Sequence, residues 1–402
     1  ASNVGLKILK REQKGSGSWQ ELLFQGPEGH ESLLFPKLTS GGINFQNMYM
    51  LALTAPYENG GSIYHYLDGA LLYSRSTDAG QTWDIENQIL PGTDSSECSG
   101  FTHDCYAFAP PHQEIVAFVA GSYEHDFFLM KSTDAGTTFE KTLIWDHPYN
   151  EVNPIGTTDT FYCPDGSLSA AIDLSGIVHV VFGIMRTRFD GENWIFYKLT
   201  NGIGYWNETM NSFSSNKNAL HPNGHPDSEL IKDVNLIGYE QDLDGDGLVT
   251  YINEPSFIYE YYYSMGLSSM PQLHIDDLNH MFLTYSMFTE TYHNGYMNYR
   301  RLWLRSSFDG GQTWRPFYHY IPDNPEHIYW EFAYPSIAPE SDEYLYVLYN
   351  HDFTPGIYRI EWPPHHNFFS VVKIPKEDVV GMHNLSMNTP AFSVEQNFPN
   401  PF

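Results

Sequence analysis

The chain is short of positive charge. Its 402 residues carry 20 Lys and Arg against 49 Asp and Glu, a formal net charge of -29. So few cations leave no basic stripe for a phosphate backbone, which argues against nucleic acid and anionic membranes as partners and favours cations. Charged residues are only 17% of the chain, so the acidity reflects missing Lys and Arg rather than a surplus of acid. Cysteine is scarce as well, with three copies. Cys98 and Cys105 are close enough for a loop disulfide, with Cys163 left over, and free buried thiols fit equally well. A disulfide would indicate an oxidising setting. No apolar run is long enough to span a membrane, and no long apolar stretch follows a helical period. The opening Ala1-Ser2-Asn3-Val4-Gly5-Leu6 lacks a signal-peptide core and reads as a mature end left after cleavage.

Aromatic residues are abundant instead, at 16% with 29 Tyr. They suit β-sheet packing, and secondarily stacking platforms for sugars or a protein surface. Three copies of one motif organise the chain. Ser76-Thr77-Asp78-Ala79-Gly80-Gln81-Thr82-Trp83, Ser132-Thr133-Asp134-Ala135-Gly136-Thr137-Thr138-Phe139 and Ser307-Phe308-Asp309-Gly310-Gly311-Gln312-Thr313-Trp314 each follow a strand-like run. Asp accepts backbone N–H bonds in a tight turn, Gly permits its backbone angles, the hydroxyls bond locally and the aromatic packs below. The motif is a folding device, and no catalytic role is expected of Asp78, Asp134 or Asp309.

Asp78 and Asp134 lie 56 positions apart. The same interval leads to Asp190, in an Asp-Gly…Trp remnant, and then to Asp246. Asp309 follows after 63 positions, and His365 after another 56. Between these turns lie short β-branched and aromatic runs: 169–173 with 178–182, 272–275 with 281–285, and 335–338 with 344–349. Four strands per repeat and six repeats predict an all-β chain, a six-bladed β-propeller with four-stranded antiparallel blades. The motif resembles the Asp-box, or BNR repeat, of sialidase-like propellers. The resemblance spans most of 40–375 and implies that each box joins the third and fourth strands of a blade. Residues 1–39 form an N-terminal segment that is a candidate for closing the ring.

The end of the chain, Asn397-Phe398-Pro399-Asn400-Pro401-Phe402, resembles the opening of a type A sorting domain of the type IX secretion system. Residues 376–396 would then be a linker. The resemblance implies export across the outer membrane to the cell surface or the medium.

The strongest ligand signal is Asp242-Leu243-Asp244-Gly245-Asp246-Gly247-Leu248-Val249-Thr250. Oxygen donors at loop positions 1, 3 and 5 with Gly at 6 are similar to the Ca²⁺ loops of EF-hands and dockerins. Asp242, Asp244 and Asp246, the Leu248 carbonyl, Thr250 and Asn253 are the expected ligands, although position 12 in that family is Glu or Asp. Three neighbouring carboxylates repel unless a cation lies between them. The ion would be structural and would stiffen the fourth blade.

Sialidases hold their substrate carboxylate with three arginines, the first in an R-I-P-type motif. The matching stretch here, Leu34-Phe35-Pro36-Lys37, has no arginine. Arg75 and Arg305 run into boxes, and Arg186, Arg188, Arg300 and Arg301 fit no triad. Among 18 histidines, the clusters His221-Pro222-Asn223-Gly224-His225 and His365-His366 have no zinc spacing and read as loop histidines. The polar stretch 201–240 reads as an insertion on one face, where propeller function often resides. With no recognisable catalytic set, the sequence points to a secreted cell-surface propeller that binds or assembles. Its partner would be a glycan, a surface protein, or copies of itself in an extracellular array. The alternative is an exo-acting glycoside hydrolase or lyase of the sialidase-like superfamily.

Overall fold

The structure is a computed structural model that describes residues 5–11, 15–149, 156–197, 199–251, 265–295, 297–321, 327–355 and 366–380. The chain is all-β apart from short helical turns and divides into two compact units, Ala1–Leu143 with Tyr149–Pro154, and Ile144–Pro148 with Ile155–Phe402.

The first unit opens with a hairpin of β1 (Leu6–Lys10) and β2 (Gln20–Phe24), in which Ile8 faces Leu22. Sheet one follows as β3 (Leu33–Gly41), β4 (Asn47–Thr54), β5 (Leu71–Ser76) and β6 (Ile85–Ile89), an antiparallel meander in chain order. Sheet two repeats the pattern with β7 (Tyr106–Phe108), β8 (Val116–Ser122), β9 (His125–Ser132) and β10 (Glu140–Trp145). The middle strands read as unbroken apolar runs because both faces are covered: Met50, Leu51, Ala52 and Leu53 are all buried. The hairpin joins this core through Ile8 and Phe24, and Phe24 meets Trp83 edge-on at 4.7 Å. Among the described residues β1 pairs with β2.

The second unit holds three sheets. Sheet three contains β11 (Phe161–Ile172), β12 (Val178–Phe189), β13 (Trp194–Tyr197), β14 (Ile203–Asn207) and β15 (Leu236–Gly238). Here β13 and β14 both pair with β12, one beyond the other, like a third strand broken in two. Sheet four is β16 (Ser268–Ile275), β17 (Met281–His293), β18 (Asn298–Ser307) and β19 (Tyr318–His319). Sheet five has β20 (Glu331–Ile337), β21 (Tyr344–Asp352) and β22 (Phe368–Pro375), followed by α1 (Lys376–Val380). The strand pairs expected from alternation form: Ala171 faces His179, Leu273 faces Leu283, and Ser336 faces Leu348.

In β3, β11, β16 and β20, the first strands of four sheets, the register slips at a bulge near Pro36, Pro164, Pro271 and Pro335. Proline cannot donate to the ladder, so pairing breaks there. Phe35, Met270 and Tyr334, each just before a proline, adopt φ of 52°, 57° and 51°. Bulky residues seldom take that conformation, and the bulge imposes it.

The 56-residue spacing misplaces two of its six turns. Asp190 lies in the turn between β12 and β13, so it joins second and third strands rather than third and fourth. Asp246 lies between sheets three and four. His365 lies outside the described residues. The described residues contain five meander sheets.

Candidate functional site

The three intact motif turns join β5 to β6, β9 to β10 and β18 to β19, each a third strand to a fourth. In the first, Ser76 Oγ donates to Asp78 Oδ1 (2.8 Å) and accepts from the Gly80 N–H (2.8 Å). Thr82 gives Asp78 both its N–H (2.8 Å) and its hydroxyl (2.6 Å). Ser132, Asp134, Gly136 and Thr138 repeat this set, as do Ser307, Asp309, Gly311 and Thr313. Trp83, Phe139 and Trp314 pack under their sheets. The Thr82 bonds hold Asp78 down at about 2, and those from Thr138 and Ser132 do the same for Asp134. A carboxylate so fully committed to a turn cannot bind substrate.

The acidic loop 242–250 is exposed, with one buried exception beside it. Asp242 and Asp244 converge with Glu290 of β17, their carboxylate oxygens all within 4.8 Å of one another. Glu290 is 5% exposed. It accepts the N–H groups of Leu243 and Asp244 on one oxygen and of Thr250 on the other. Asp242 accepts from Gly245 and Gly247. Asp246 turns instead to the Leu248 N–H. Thr250 touches the cluster through its N–H on Glu290, and Asn253 lies outside the described residues. Glu290 was not legible in the sequence because it comes from a strand more than forty positions on. Hard oxygen donors of this number and charge fit Ca²⁺.

Most arginines are committed to structure. Arg75 is bound to Asp84, the Ala135 carbonyl and Thr137. Arg305 is bound to Asp233 and to the carbonyls of Ile237, Trp314 and Arg315. Arg300, fully buried, serves the carbonyls of Gly266, Leu267 and Ser286, and burial pushes it down to about 10. Arg301 donates to the His327 carbonyl and lies 4.1 Å over the Tyr292 ring.

Arg186 and Arg188 differ. Both project from the same face of β12, near its turn into β13, with buried Thr187 pointing the other way. Each has a buried Nε with no hydrogen-bond partner among the described residues. Register places Tyr162 of β11 and Tyr197 of β13 directly beside Arg186. Its guanidinium lies 4.8 Å from the Tyr197 ring centre and 5.7 Å from that of Tyr162.

The long connection from Asn207 to Leu236 covers this row. Its anchors are buried Ala219 and Leu220, and Lys217 presents its carbonyl to the Tyr162 N–H (3.0 Å). This sets the His221 ring 4.4 Å from Tyr162, with His225 stacked behind it at 5.2 Å. Nδ1 of His221 accepts the Asn223 N–H and Nδ1 of His225 accepts the Asp227 N–H, each at 3.1 Å. Both rings therefore carry their proton on Nε2. Burial, then the charges of His225 and Arg186, hold His221 below its ordinary range. Burial raises Tyr162 while Arg186 opposes the rise. Tyr162, Arg186, Tyr197 and His221 are each half-buried, reachable from solvent yet partly desolvated. The sequence showed the histidine cluster and the insertion, and the structure narrows that insertion to the residues between β14 and β15.

The three cysteines are buried thiols outside any disulfide. The Cys98 thiol donates to the Thr93 carbonyl and the Cys163 thiol to that of Met185. No helix among the described residues is long and apolar enough to cross a membrane.

No protein-family model matches the chain, and no curated protein matches it. Solved structures do. A polysaccharide lyase of family PL25, an ulvan lyase, is 10% identical over 84% of this chain and 67% of its own, with a TM-score of 0.44. A Dyadobacter fermentans protein of unknown function is 11% identical, covering 93% and 85%, with a TM-score of 0.38. The Trypanosoma rangeli sialidase is 10% identical, covering 98% of this chain and 54% of its own, with a TM-score of 0.39. Likenesses of this depth carry no argument about chemistry, which has to come from the residues themselves.

Proposed function

We propose that this chain binds an acidic polysaccharide in the Tyr162–Arg186–Tyr197 cleft and cleaves it by β-elimination. The observation that carries the reading is the Arg186 guanidinium, held between two tyrosine rings beside His221, which burial keeps below its ordinary range, with its Nε unpartnered among the described residues. A planar cation of this kind suits a sugar carboxylate, and the flanking rings suit pyranose faces. Elimination requires the carboxylate to be neutralised, the adjacent C–H proton removed and the leaving oxygen protonated. Arg186 meets the first need. Tyr162, beside it, is the general acid: its phenol, kept protonated by burial, gives its proton to the leaving oxygen as the C4–O bond breaks, while water takes the C5 proton and afterwards reprotonates the phenolate. The Nε2–H of His221 donates to the charge that develops on the carboxylate. A retaining or inverting hydrolase would instead need two opposed carboxylates at a fixed separation.

The test is a panel of uronate-bearing polysaccharides, monitored by the ultraviolet absorbance of the unsaturated sugar that elimination leaves. Absorbance growth that Tyr162→Phe abolishes is the expected result. Binding without turnover would remove the elimination and leave a glycan-binding protein, the role to which the lack of a recognisable catalytic set in the sequence pointed. No binding at all would remove both.

Two further readings belong to this proposal. Ca²⁺ at Asp242, Asp244 and Glu290 would neutralise three converging carboxylates and tie the loop to β17, a structural role supported by the donor set. A propeller of antiparallel blades is supported by the five meander sheets, and export to the cell surface by the Asn397–Phe402 pattern.

A further inference from the structure

Arg188 carries a second inference, which rests on the proposed reading of the cleft. It stands two residues beyond Arg186 on the same strand face, opposite Ile195 in the register that pairs Arg186 with Tyr197. Two residues along a strand advance about 6.7 Å, so the guanidinium roots lie roughly one sugar apart. The Arg188 Nε is also buried without a hydrogen-bond partner among the described residues. The charge that faces it is Asp190, whose carboxylate is bound first by the N–H groups of Asn193 and Glu192 and only then sensed by Arg188. A cation left this way is either an uncompensated cost or a ligand anchor.

We infer that Arg188 is a second anion anchor, and that the cleft selects chains in which consecutive sugars both carry an anionic group. Arg186 takes the charge of the reacting sugar and Arg188 that of its neighbour. A chain with one charge per disaccharide leaves Arg188 unmatched, and the desolvated guanidinium then discriminates against it.

The experiment compares a homopolyuronate, charged on every sugar, with an alternating polymer bearing one carboxylate per disaccharide. Both are titrated against the full chain and against Arg188→Gln and Arg188→Lys, with thermal melts to confirm folding. The unsubstituted chain should bind the homopolyuronate at least tenfold more tightly. Arg188→Gln should remove that preference by weakening the homopolyuronate alone, and Arg188→Lys should restore part of it. Equal weakening on both polymers, or no change on either, overturns the second anchor while leaving the cleft intact. Failure of the unsubstituted chain to bind either polymer overturns the reading of the cleft, and this inference with it.

Discussion

The hydroxyl of Tyr73 donates to the carbonyl of Gly136 at 2.9 Å, linking the third strand of sheet one to the motif turn of sheet two. Tyr205 of sheet three reaches the Gly310 carbonyl in the turn of sheet four in the same way. The glycine is required twice over. Gly136 has φ of 77°, and a Cβ there would stand 2.2 Å from the Tyr73 hydroxyl oxygen. The motif is thus also a socket for the preceding sheet.

Gly136→Ala should cost about 1–3 kcal/mol through crowding and backbone strain. Tyr73→Phe alone should cost about 1 kcal/mol for the lost buried hydrogen bond. In combination they should cost less than the sum, because the second change removes the atom the new methyl strikes. Urea denaturation of the four proteins measures the coupling, and strict additivity would argue against the socket.

The motif aspartates set an acid limit. Asp78 and Asp134 titrate at about 2 in the folded chain against an ordinary 3.8. Their contribution is complete above 3.8, declines as pH falls, and is gone once pH passes below about 2. Asp78→Asn should lower stability near neutrality, where the carboxylate's contribution is complete, and should shrink the fall across the acid window to the part that Asp134 supplies. Melting temperatures at successive pH values give the answer.

These turns were legible because their bonds are local: Ser, Asp, Gly and Thr lie within eight residues, and a strand pair such as Leu273 with Leu283 is separated by a short turn. The equal spacing was misleading for the same reason. Asp190 accepts the N–H groups of Glu192 and Asn193 as any Asp-Gly turn would, and nothing local reveals which strands it joins. The cleft was illegible. Tyr162, Arg186 and Tyr197 meet only through the register of three strands, one of them broken, and Glu290 reaches the acidic loop from a different sheet.

Arg186→Gln should weaken polysaccharide binding at least about tenfold, the loss of a charge-assisted bidentate contact. The melt should fall only slightly, because among the described residues the guanidinium's partners are the Tyr162 and Tyr197 rings rather than a hydrogen-bond acceptor. Isothermal titration and calorimetric melting separate the two effects, and a large drop in melting temperature would assign Arg186 a structural role.

Calcium should raise the melting temperature and EDTA should reverse it. At a concentration of about 100 times Kd the gain is about 2.7 kcal/mol. Glu290→Gln and Asp242→Asn should each abolish the response. A calcium shift that survives in both variants would place the ion elsewhere.

Salt should act against habit. The chain, at -29, repels a polyanion over long range, and at about 0.1 M ionic strength the screening length falls to about 10 Å. The contact at Arg186 is short and partly desolvated, so it suffers less. Association by stopped flow should accelerate between roughly 0.01 and 0.1 M salt, whereas a monotonic slowing would mean that attraction dominates the approach.

The N-terminal hairpin has a consequence for how the chain can be cut. Sheet one has no earlier tyrosine to fill its socket. A Cβ on Gly80 would instead meet Met48 and Leu22 of the hairpin, Lys10 donates to the Ala79 carbonyl, and Asn87 donates to that of Gln25. The hairpin is a built-in plug that does for the first sheet what Tyr73 does for the second and Tyr205 for the fourth. Trimming before Gln25 would unseal an apolar face and invite association, so a permuted or shortened variant has to be opened at some other loop.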